Sequence, residues 1–396
     1  MEKAKVYFSD FRTIAFGMGL PQKLKKLITA AGIGDLEMEG KFVAIKMHFG
    51  ELGNVSYLRP NYARAVVDVV KELGGHPFLT DCNTMYPGSR KNALEHLACA
   101  WENGFTPMTV GCPLLIADGL KGTDDVSVPV PGGEYVKEAK IGRAVMDADV
   151  FISLTHFKGH EMTGFGGAIK NIGMGCGSKK GKMEMHSSGT PRIDAGKCIG
   201  CGMCVDHCAN DGVHVTDGVA VIDEDHCVGC GFCIAYCPTG AIMTKWDEAK
   251  PVMNCKIAEY TKAVLDGKPA FHVSLVLDVS PDCDCERHND VPVIPNVGMF
   301  ASFDPVALDQ ACVDAANKQP VIQGSKADPQ VKEASVSDHM DGARAIPEQA
   351  YSEHAASGDG HDVFKMVHPD TDWAAGLAHA EKLGIGTREY ELVVVK

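Results

Sequence analysis

The sequence lacks three features that would mark it as a membrane, secreted or nucleic-acid-binding protein. No apolar run approaches the ~20 residues that a membrane span needs, so we expect no membrane association. The segment from Met1 to Lys5 has neither the apolar core of a secretory signal nor a twin-arginine pair. The formal net charge of -14 excludes a uniformly basic surface and argues against a nucleic-acid partner. We therefore expect a soluble, cytoplasmic protein.

Cysteine, by contrast, is abundant. The chain of 396 residues contains 16 cysteines, and no segment marks it as secreted. So many free thiols indicate a reducing compartment, such as the cytoplasm of an anaerobe. The length predicts two or three domains.

Eight of the cysteines form two matching runs. They read Cys198-x-x-Cys201-x-x-Cys204-x-x-x-Cys208 and Cys227-x-x-Cys230-x-x-Cys233-x-x-x-Cys237-Pro238. This spacing lets three consecutive thiolates surround one iron–sulfur cube, while the fourth cysteine reaches the other cube. We therefore predict two [4Fe-4S] clusters. One set of ligands is Cys198, Cys201, Cys204 and Cys237; the other is Cys227, Cys230, Cys233 and Cys208.

Two other uses of these cysteines are weaker. A pair of zinc sites would need only the Cys-x-x-Cys pairs, whereas each run here has a third and a fourth cysteine. Disulfides do not suit a chain without secretion signals. The runs and the hairpin signal at Asp217-Gly218 resemble a bacterial two-cluster ferredoxin over residues 191–246. Ala209 replaces the proline expected after the first run, which should change the cluster potential rather than its ligation.

The rest of the chain predicts an α/β fold. Apolar strands alternate with helices in residues 1–190 and again in residues 247–396, as in a mostly parallel sheet covered by helices on both faces. One predicted helix spans Val136 to Met146. Another begins at Pro305 with Asp304 as its cap. The expected architecture is an α/β domain in two parts with an α+β ferredoxin-type domain inserted between them.

Polar residues follow several predicted strands, at the edge where parallel sheets bind ligands. They include His48, Glu51, Asp81 and Arg90, each of which also fits a helix cap or a turn. His156, Lys158 and His160 come together after one strand, ahead of a glycine-rich segment that contains Lys170. We predict that these four residues form a catalytic site.

Two further stretches are open to more than one interpretation. The segment from Gly164 to Lys182 matches neither standard phosphate-binding loop, and it fits a ligand loop or a flexible hinge equally. Cys283-x-Cys285 suits a metal or a redox thiol pair, with Cys176, His156, His160 or His186 as further ligands; two reduced surface cysteines are the alternative. Residues 324–370 are polar and are expected to form a lid or a partner surface.

These residues also resemble a known family. Lys46 to Glu51, His156 to Gly167, Lys170 to Gly175 and Ala301 to Asp309 are similar to the uncharacterised domain of unknown function 362. The resemblance implies an α/β domain with an inserted ferredoxin. It implies no reaction.

The sequence therefore predicts an iron–sulfur redox protein. Electrons would pass through the two clusters to or from a site on the α/β domain, where a small-molecule substrate or a third metal site at Cys283 and Cys285 would make the protein an oxidoreductase. The alternatives are a pure electron carrier and an accessory protein that delivers electrons or metal to a larger enzyme. Each requires a redox partner protein. The oligomeric state is not encoded in these patterns.

Overall fold

The centre of the fold is an eight-stranded sheet. The computed structural model describes residues 3–329, 331 and 362–396, apart from residues 15, 87, 188, 189, 228, 230, 246 and 289 and the side chain of residue 235. In spatial order the strands are β16 (Tyr390–Val394), β1 (Ala4–Asp10), β15 (Gly298–Ser302), β14 (Ala270–Val276), β7 (Val150–His156), β2 (Phe42–Lys46), β3 (His76–Asp81) and β4 (Leu114–Ile116). Only β15 is antiparallel to its neighbours within this sheet. The predicted α/β class with a mostly parallel sheet is confirmed.

Helices cover both faces of the sheet. The α-helices of the described residues are α1 (Leu20–Ala30), α2 (Pro60–Glu72), α3 (Ala93–Glu102), α4 (Pro107–Val110), α5 (Arg143–Asp147), α6 (Ala168–Cys176), α7 (Lys179–His186), α8 (Met203–Asp206), α9 (Phe232–Tyr236), α10 (Lys250–Leu265), α11 (Pro305–Asn317), α12 (Val363–Val367) and α13 (Trp373–Lys382). Of these, α8 and α9 lie within residues 191–246 and pack on each other. Consecutive residues of β7 enter opposite cores: Phe151 packs with α6, α10 and α11, and Ile152 packs with α1 and α2. This alternation is expected because side chains point to opposite faces along a strand.

Four short strand pairs lie outside the main sheet. They are β5 (Asp125–Pro129) with β6 (Glu138–Gly142), β8 (Lys158–His160) with β9 (Gly164–Gly166), β10 (Pro191–Ile193) with β13 (Ile242–Thr244), and β11 (Val213–Thr216) with β12 (Val219–Ile222). The predicted hairpin turn is confirmed, because Asp217 and Gly218 both have positive φ, at 51° and 79°. A turn of two such residues matches the twist of the strands it joins. Among the described residues, no helix is both long and apolar enough to cross a membrane.

Two predictions of local structure are wrong. The predicted helix from Val136 to Met146 is instead β6 followed by the single turn of α5. Here buried Ala139 and Ile141 alternate with the more exposed Glu138 and Lys140, so the period is that of a strand. The glycine-rich segment from Gly164 to Lys182 is not a loop, since it forms β9, α6 and the first half of α7. Much of the predicted lid lies at residues 332–361, outside the described residues.

Close packing explains the glycines of this segment. A Cβ atom on Gly173 would lie 2.1 Å from the carbonyl oxygen of Ile257 in α10, and one on Gly167 would lie 2.4 Å from Oδ1 of Asp309. The Asp309 carboxylate accepts the backbone N–H groups of Ala168 and Ile169 at 2.6 and 2.9 Å, which fixes the start of α6. The predicted cap at Asp304 is confirmed, because its Oδ1 accepts the N–H groups of the first turn of α11.

We expect Gly173→Ala to lower the free energy of unfolding by about 1–3 kcal/mol, because the added methyl overpacks the contact between α6 and α10. Gly34→Ala is the matched control, since its Cβ would meet only one atom within 4 Å, at 3.9 Å. Urea denaturation followed by circular dichroism measures both. Equal stability of the two variants would contradict this account of the segment.

Candidate functional site

A cavity of about 400 Å³ opens at the carboxyl ends of β2, β3, β7 and β14. This is the edge of a parallel sheet at which ligands bind. The segments after these strands form its walls together with α6 and α7. Of the residues predicted for this site, Lys158, His160, Lys170, Cys283 and Cys285 all line the cavity. We call it the edge pocket.

The two cysteines and one histidine form a tight cluster in the edge pocket. Ligand atoms of His160, Cys283 and Cys285 lie within 4.8 Å of one another, and those of Glu161, Cys285 and Glu286 do the same. The ammonium of Lys170 donates to Sγ of Cys283 at 3.3 Å. A soft ion or a reactive thiol pair both suit such a set of atoms by residue type alone.

The two thiols have opposite tendencies to ionise. Burial opposes ionisation of Cys283, but the hydrogen bonds with Cys285 and His160 and the charge of Lys170 hold its pKa well below the usual value. The hydrogen bond between the two thiols raises the pKa of Cys285 well above its usual value, and burial adds to this. The contact with the Lys170 ammonium therefore favours negative charge on Cys283 over negative charge on Cys285.

The two histidines of the predicted site differ in position. Nδ1 of His160 accepts the backbone N–H groups of Met162 and Thr163 at 3.0 and 3.2 Å, so a neutral His160 has its proton on Nε2. His156 is not among the residues that line the edge pocket. Its Nδ1 faces Asp284 at 2.8 Å, and its Nε2 faces the carbonyl of Leu277 at 2.7 Å. Both partners are acceptors, so both ring nitrogens of His156 donate and neither is free to bind a metal.

Lys158 completes this buried arrangement. Its ammonium donates to the carbonyl of His156 at 3.1 Å and lies 3.4 Å from the Asp284 carboxylate. Asp284 stands between the two cysteines in sequence and is fully buried. Lys158 and His156 therefore orient the Cys283-x-Cys285 turn through Asp284, whereas Lys170 contacts the thiol directly.

A second group of charged residues, centred on Arg90, also contacts the Cys283-x-Cys285 turn. Arg90 pairs with Glu51 at 2.9 Å, with side chains only 2% and 1% exposed. It also approaches His48 at 2.8 Å, donates to the Tyr86 hydroxyl at 2.6 Å and donates to the carbonyl of Cys285 at 3.4 Å. Residues after β2 and β3 are therefore connected to the segment after β14.

Three contributors to the site had weak signals or none in the sequence. Lys46 interrupts an apolar strand and pairs with Asp81 at 3.0 Å, with both side chains buried. A lone lysine inside a buried strand was the available signal for this pair. Glu161 directly follows His160, and Glu286 directly follows Cys285, so both glutamates reach the cluster. No pattern in the sequence distinguished them from acidic residues at the surface.

The cysteines of residues 191–246, a segment called the insert, line two small pockets. One is lined by Cys198, Cys201, Cys204 and Cys237 among others, and the second by Cys208, Cys227 and Cys233. These are the two sets predicted from the spacing, except that Cys230 lies outside the described residues. Each pocket therefore combines cysteines of one run with the last cysteine of the other run, which is Cys237 in the first pocket and Cys208 in the second.

The two runs share one backbone conformation. Gly200 and Gly229 have φ of 62° and 63°, and Gly202 and Gly231 have φ of 76° and 72°. In each run a backbone N–H four residues after the last cysteine donates to its Sγ at 3.2 Å. Such a repeat, with amides directed at the sulfurs, fits the cradle of an iron–sulfur cluster.

The spacing of the thiols also tests the zinc alternative. Every cysteine within the described residues is a free thiol. Among these residues, no three of the four thiols in the first pocket lie within 4.8 Å of one another. Thiolates on one tetrahedral zinc would lie about 3.8 Å apart, given Zn–S bonds of about 2.3 Å. The first pocket therefore suits a group larger than one ion.

Helix α7 lies between the insert and the edge pocket. Its Met183 packs in the apolar core of the insert together with Met85, Cys204 and Ile234. From the same helix, Lys182 and His186 line the edge pocket, as does Met85. A Cβ on Gly231, within the second run, would lie 3.8 Å from the Met183 methyl. One helix, about 10 Å across, therefore separates the two sites.

We expect Arg90→Met to lower the free energy of unfolding by about 3–5 kcal/mol, because it leaves the buried Glu51 carboxylate without a cation to pair with. Adding Glu51→Gln should recover part of this loss. Arg64→Met is the control, because Arg64 is 48% exposed and its pair with Asp68 is at the surface. Denaturant titration measures all four proteins. Equal losses in the single and double variants would show that charge pairing is not what Arg90 supplies.

Comparisons with known proteins gave distant similarities. A thylakoid-associated protein of Synechocystis sp. is 27% identical over 175 residues, which cover 42% of this chain and 46% of that protein. The lactate racemase apoprotein of Thermoanaerobacterium thermosaccharolyticum aligns with a TM-score of 0.32 and 13% identity over 69% of this chain and 51% of that one. A Thermotoga maritima protein aligns with a TM-score of 0.38 and 12% identity, over 74% and 57%. The chain thus spans about half the length of each of these proteins.

A family model agrees with the resemblance seen in the sequence. The model described as domain of unknown function (DUF362) matches residues 43–314. This span begins in β2 and ends in α11, so it contains the edge pocket and the insert. The chain belongs to the DUF362 family.

Proposed function

We propose that this chain is an iron–sulfur redox protein that passes electrons through two [4Fe-4S] clusters between a partner protein and the edge pocket. The observation that carries the proposal is the double role of α7, since it packs against the cysteine-rich insert through Met183 and lines the edge pocket through Lys182 and His186. A redox centre in the insert would therefore have a reactive site directly behind one helix.

The donor set determines which residues would hold the clusters. The first would be held by Cys198, Cys201, Cys204 and Cys237, and the second by Cys208, Cys227, Cys230 and Cys233. Residues 191–246 would then form a ferredoxin-type domain between the α/β parts 1–190 and 247–396. When bound, each cluster supplies one-electron transfer at a potential set by burial and by hydrogen bonds to its sulfurs. The backbone amides of Gly212, Ala220 and Ala241 donate to these thiols at 3.2–3.3 Å and would tune that potential.

The outer end of the insert suits contact with a redox partner. Cys201 is exposed, and Ile199 beside it is 66% exposed. The far end packs on α7. Electrons would then enter near the first cluster and leave from the second. A built pocket of about 400 Å³ with a thiol cluster at its wall favours an oxidoreductase over a pure carrier.

We expect protein purified without oxygen to contain about eight irons and eight sulfides per chain, with two interacting EPR signals after reduction. Cys204→Ala should lower the iron to about four per chain, because it removes a ligand of the first cluster only. Cys255→Ser, which changes a cysteine of α10 outside the insert, should keep the full content. Stoichiometric zinc without sulfide would refute the proposal, and loss of both clusters in Cys204→Ala would show that they assemble as one unit.

The proposed electron path makes a second prediction, about spectra. Lys170→Ala should leave both cluster EPR signals unchanged, because Lys170 contacts Cys283 rather than the insert. Met183→Ala should change the signal of the second cluster, because the methionine methyl packs next to Gly231 in that run. If Lys170→Ala changes the signals and Met183→Ala does not, the path through α7 is wrong.

A further inference from the structure

The surroundings of Cys283 are those of a thiolate. The Lys170 ammonium donates to its Sγ at 3.3 Å, and the side chains of His160 and Cys285 complete the contact, with ligand atoms within 4.8 Å. Cys283 is 1% exposed, so these groups replace water as its partners. A buried anion persists only when it is paired and hydrogen-bonded.

The same geometry disfavours a metal ion. Two backbone N–H groups donate to Nδ1 of His160, which keeps the ring proton on Nε2, the atom that lies 3.5 Å from Glu161. A metal at Nε2 would require removal of that proton while Nδ1 still accepts two hydrogen bonds. The Lys170 ammonium in contact with Cys283 would also repel a cation. A hydrogen-bond donor, not a metal ligand, is the role that fits His160.

We propose that Cys283 and Cys285 are a redox-active dithiol that reduces a small anionic disulfide in the edge pocket. This inference rests on the proposed function, because the clusters would supply the electrons. Cys283 is the nucleophile, and Cys285 is the resolving thiol. His160 and Lys170 act as positioning residues that hold the thiolate.

The reaction balances in three steps. The Cys283 thiolate attacks one sulfur of the substrate R–S–S–R, which forms a mixed disulfide and releases one R–S⁻. Cys285 then attacks the Cys283 sulfur, which forms the Cys283–Cys285 disulfide and releases the second R–S⁻, and the Cys285 proton passes to a released thiolate. Two electrons, one from each cluster, and one proton restore the thiolate and the thiol.

The size and charge of the edge pocket indicate the substrate class. Because Cys283 is buried and the cavity measures about 400 Å³, the substrate is a small molecule and not a protein disulfide. Five lysine or arginine side chains and three carboxylates line the cavity, and one of the five, Lys182, is 8% exposed and donates to the carbonyl oxygen of Gly177. The excess of cations favours a substrate that carries a carboxylate.

The experiment uses the whole protein with its clusters reduced, mixed without oxygen with dithiodipropionate, a small disulfide with two carboxylates. We expect the reduced-cluster EPR signal to disappear and two thiols to form per disulfide. Cystamine, which replaces the carboxylates with amines, should react about tenfold more slowly. Cys255→Ser should behave like the unchanged protein.

Two variants separate the roles of the thiols. Cys285→Ser should stop after the first step, and mass spectrometry should find half of the substrate attached to Cys283. Cys283→Ser should leave the clusters reduced. Reoxidation at an unchanged rate in Cys283→Ser, no adduct in Cys285→Ser, or a stoichiometric metal lost from both variants would overturn the dithiol.

The same measurement separates the two proposals. Clusters that form and reduce normally but are not reoxidised by either disulfide would overturn the dithiol and leave the iron–sulfur proposal standing. Protein that shows no cluster signal at the start would overturn both.

Discussion

The structure depends on one constraint: a charge buried at the end of a sheet must have a partner. Four cations at the carboxyl edge meet this condition, each through a carboxylate or thiol that lies outside the cation's own segment. The pairs are Lys46 with Asp81, Arg90 with Glu51, Lys158 with Asp284, and Lys170 with the Cys283 thiol. Buried pairs add little net stability, but breaking one is costly. Their effect here is to hold the segments after β2, β3, β7 and β14 in one arrangement around the edge pocket.

The same constraint explains the glycines near the pocket. Helix α6 carries Lys170 and must lie close to the ends of β2 and β7. A Cβ on Gly175 would meet the Lys46 ammonium at 2.4 Å, and one on Gly159 would meet the carbonyl oxygen of Pro281 at 2.1 Å. These glycines are needed because charged side chains and backbone occupy the space beside them. They make the segment compact rather than flexible.

What the sequence could predict of the fold and the site depends on how far apart the interacting residues lie along the chain. The strands of the main sheet, five helices (α2, α3, α10, α11 and α13) and the Asp304 cap follow from local patterns, so the sequence predicted them. The gathering of polar groups at one edge also followed, from the rule for parallel sheets. The role of each group did not, because it depends on partners far away. His156 and His160 are four positions apart, yet Asp284 turns one away from the pocket and two backbone amides fix the proton of the other.

The connections of the insert to the rest of the protein hold the insert in a defined position on the α/β body. It follows α7 and precedes α10, so two connections join it to the body, and the pairing of β10 with β13 closes its base. Met85, from the segment after β3, packs into its core as a third attachment. A carrier joined by a single linker would sample many orientations. An insert attached at three points keeps its second cysteine pocket against α7 and therefore at a fixed position beside the edge pocket.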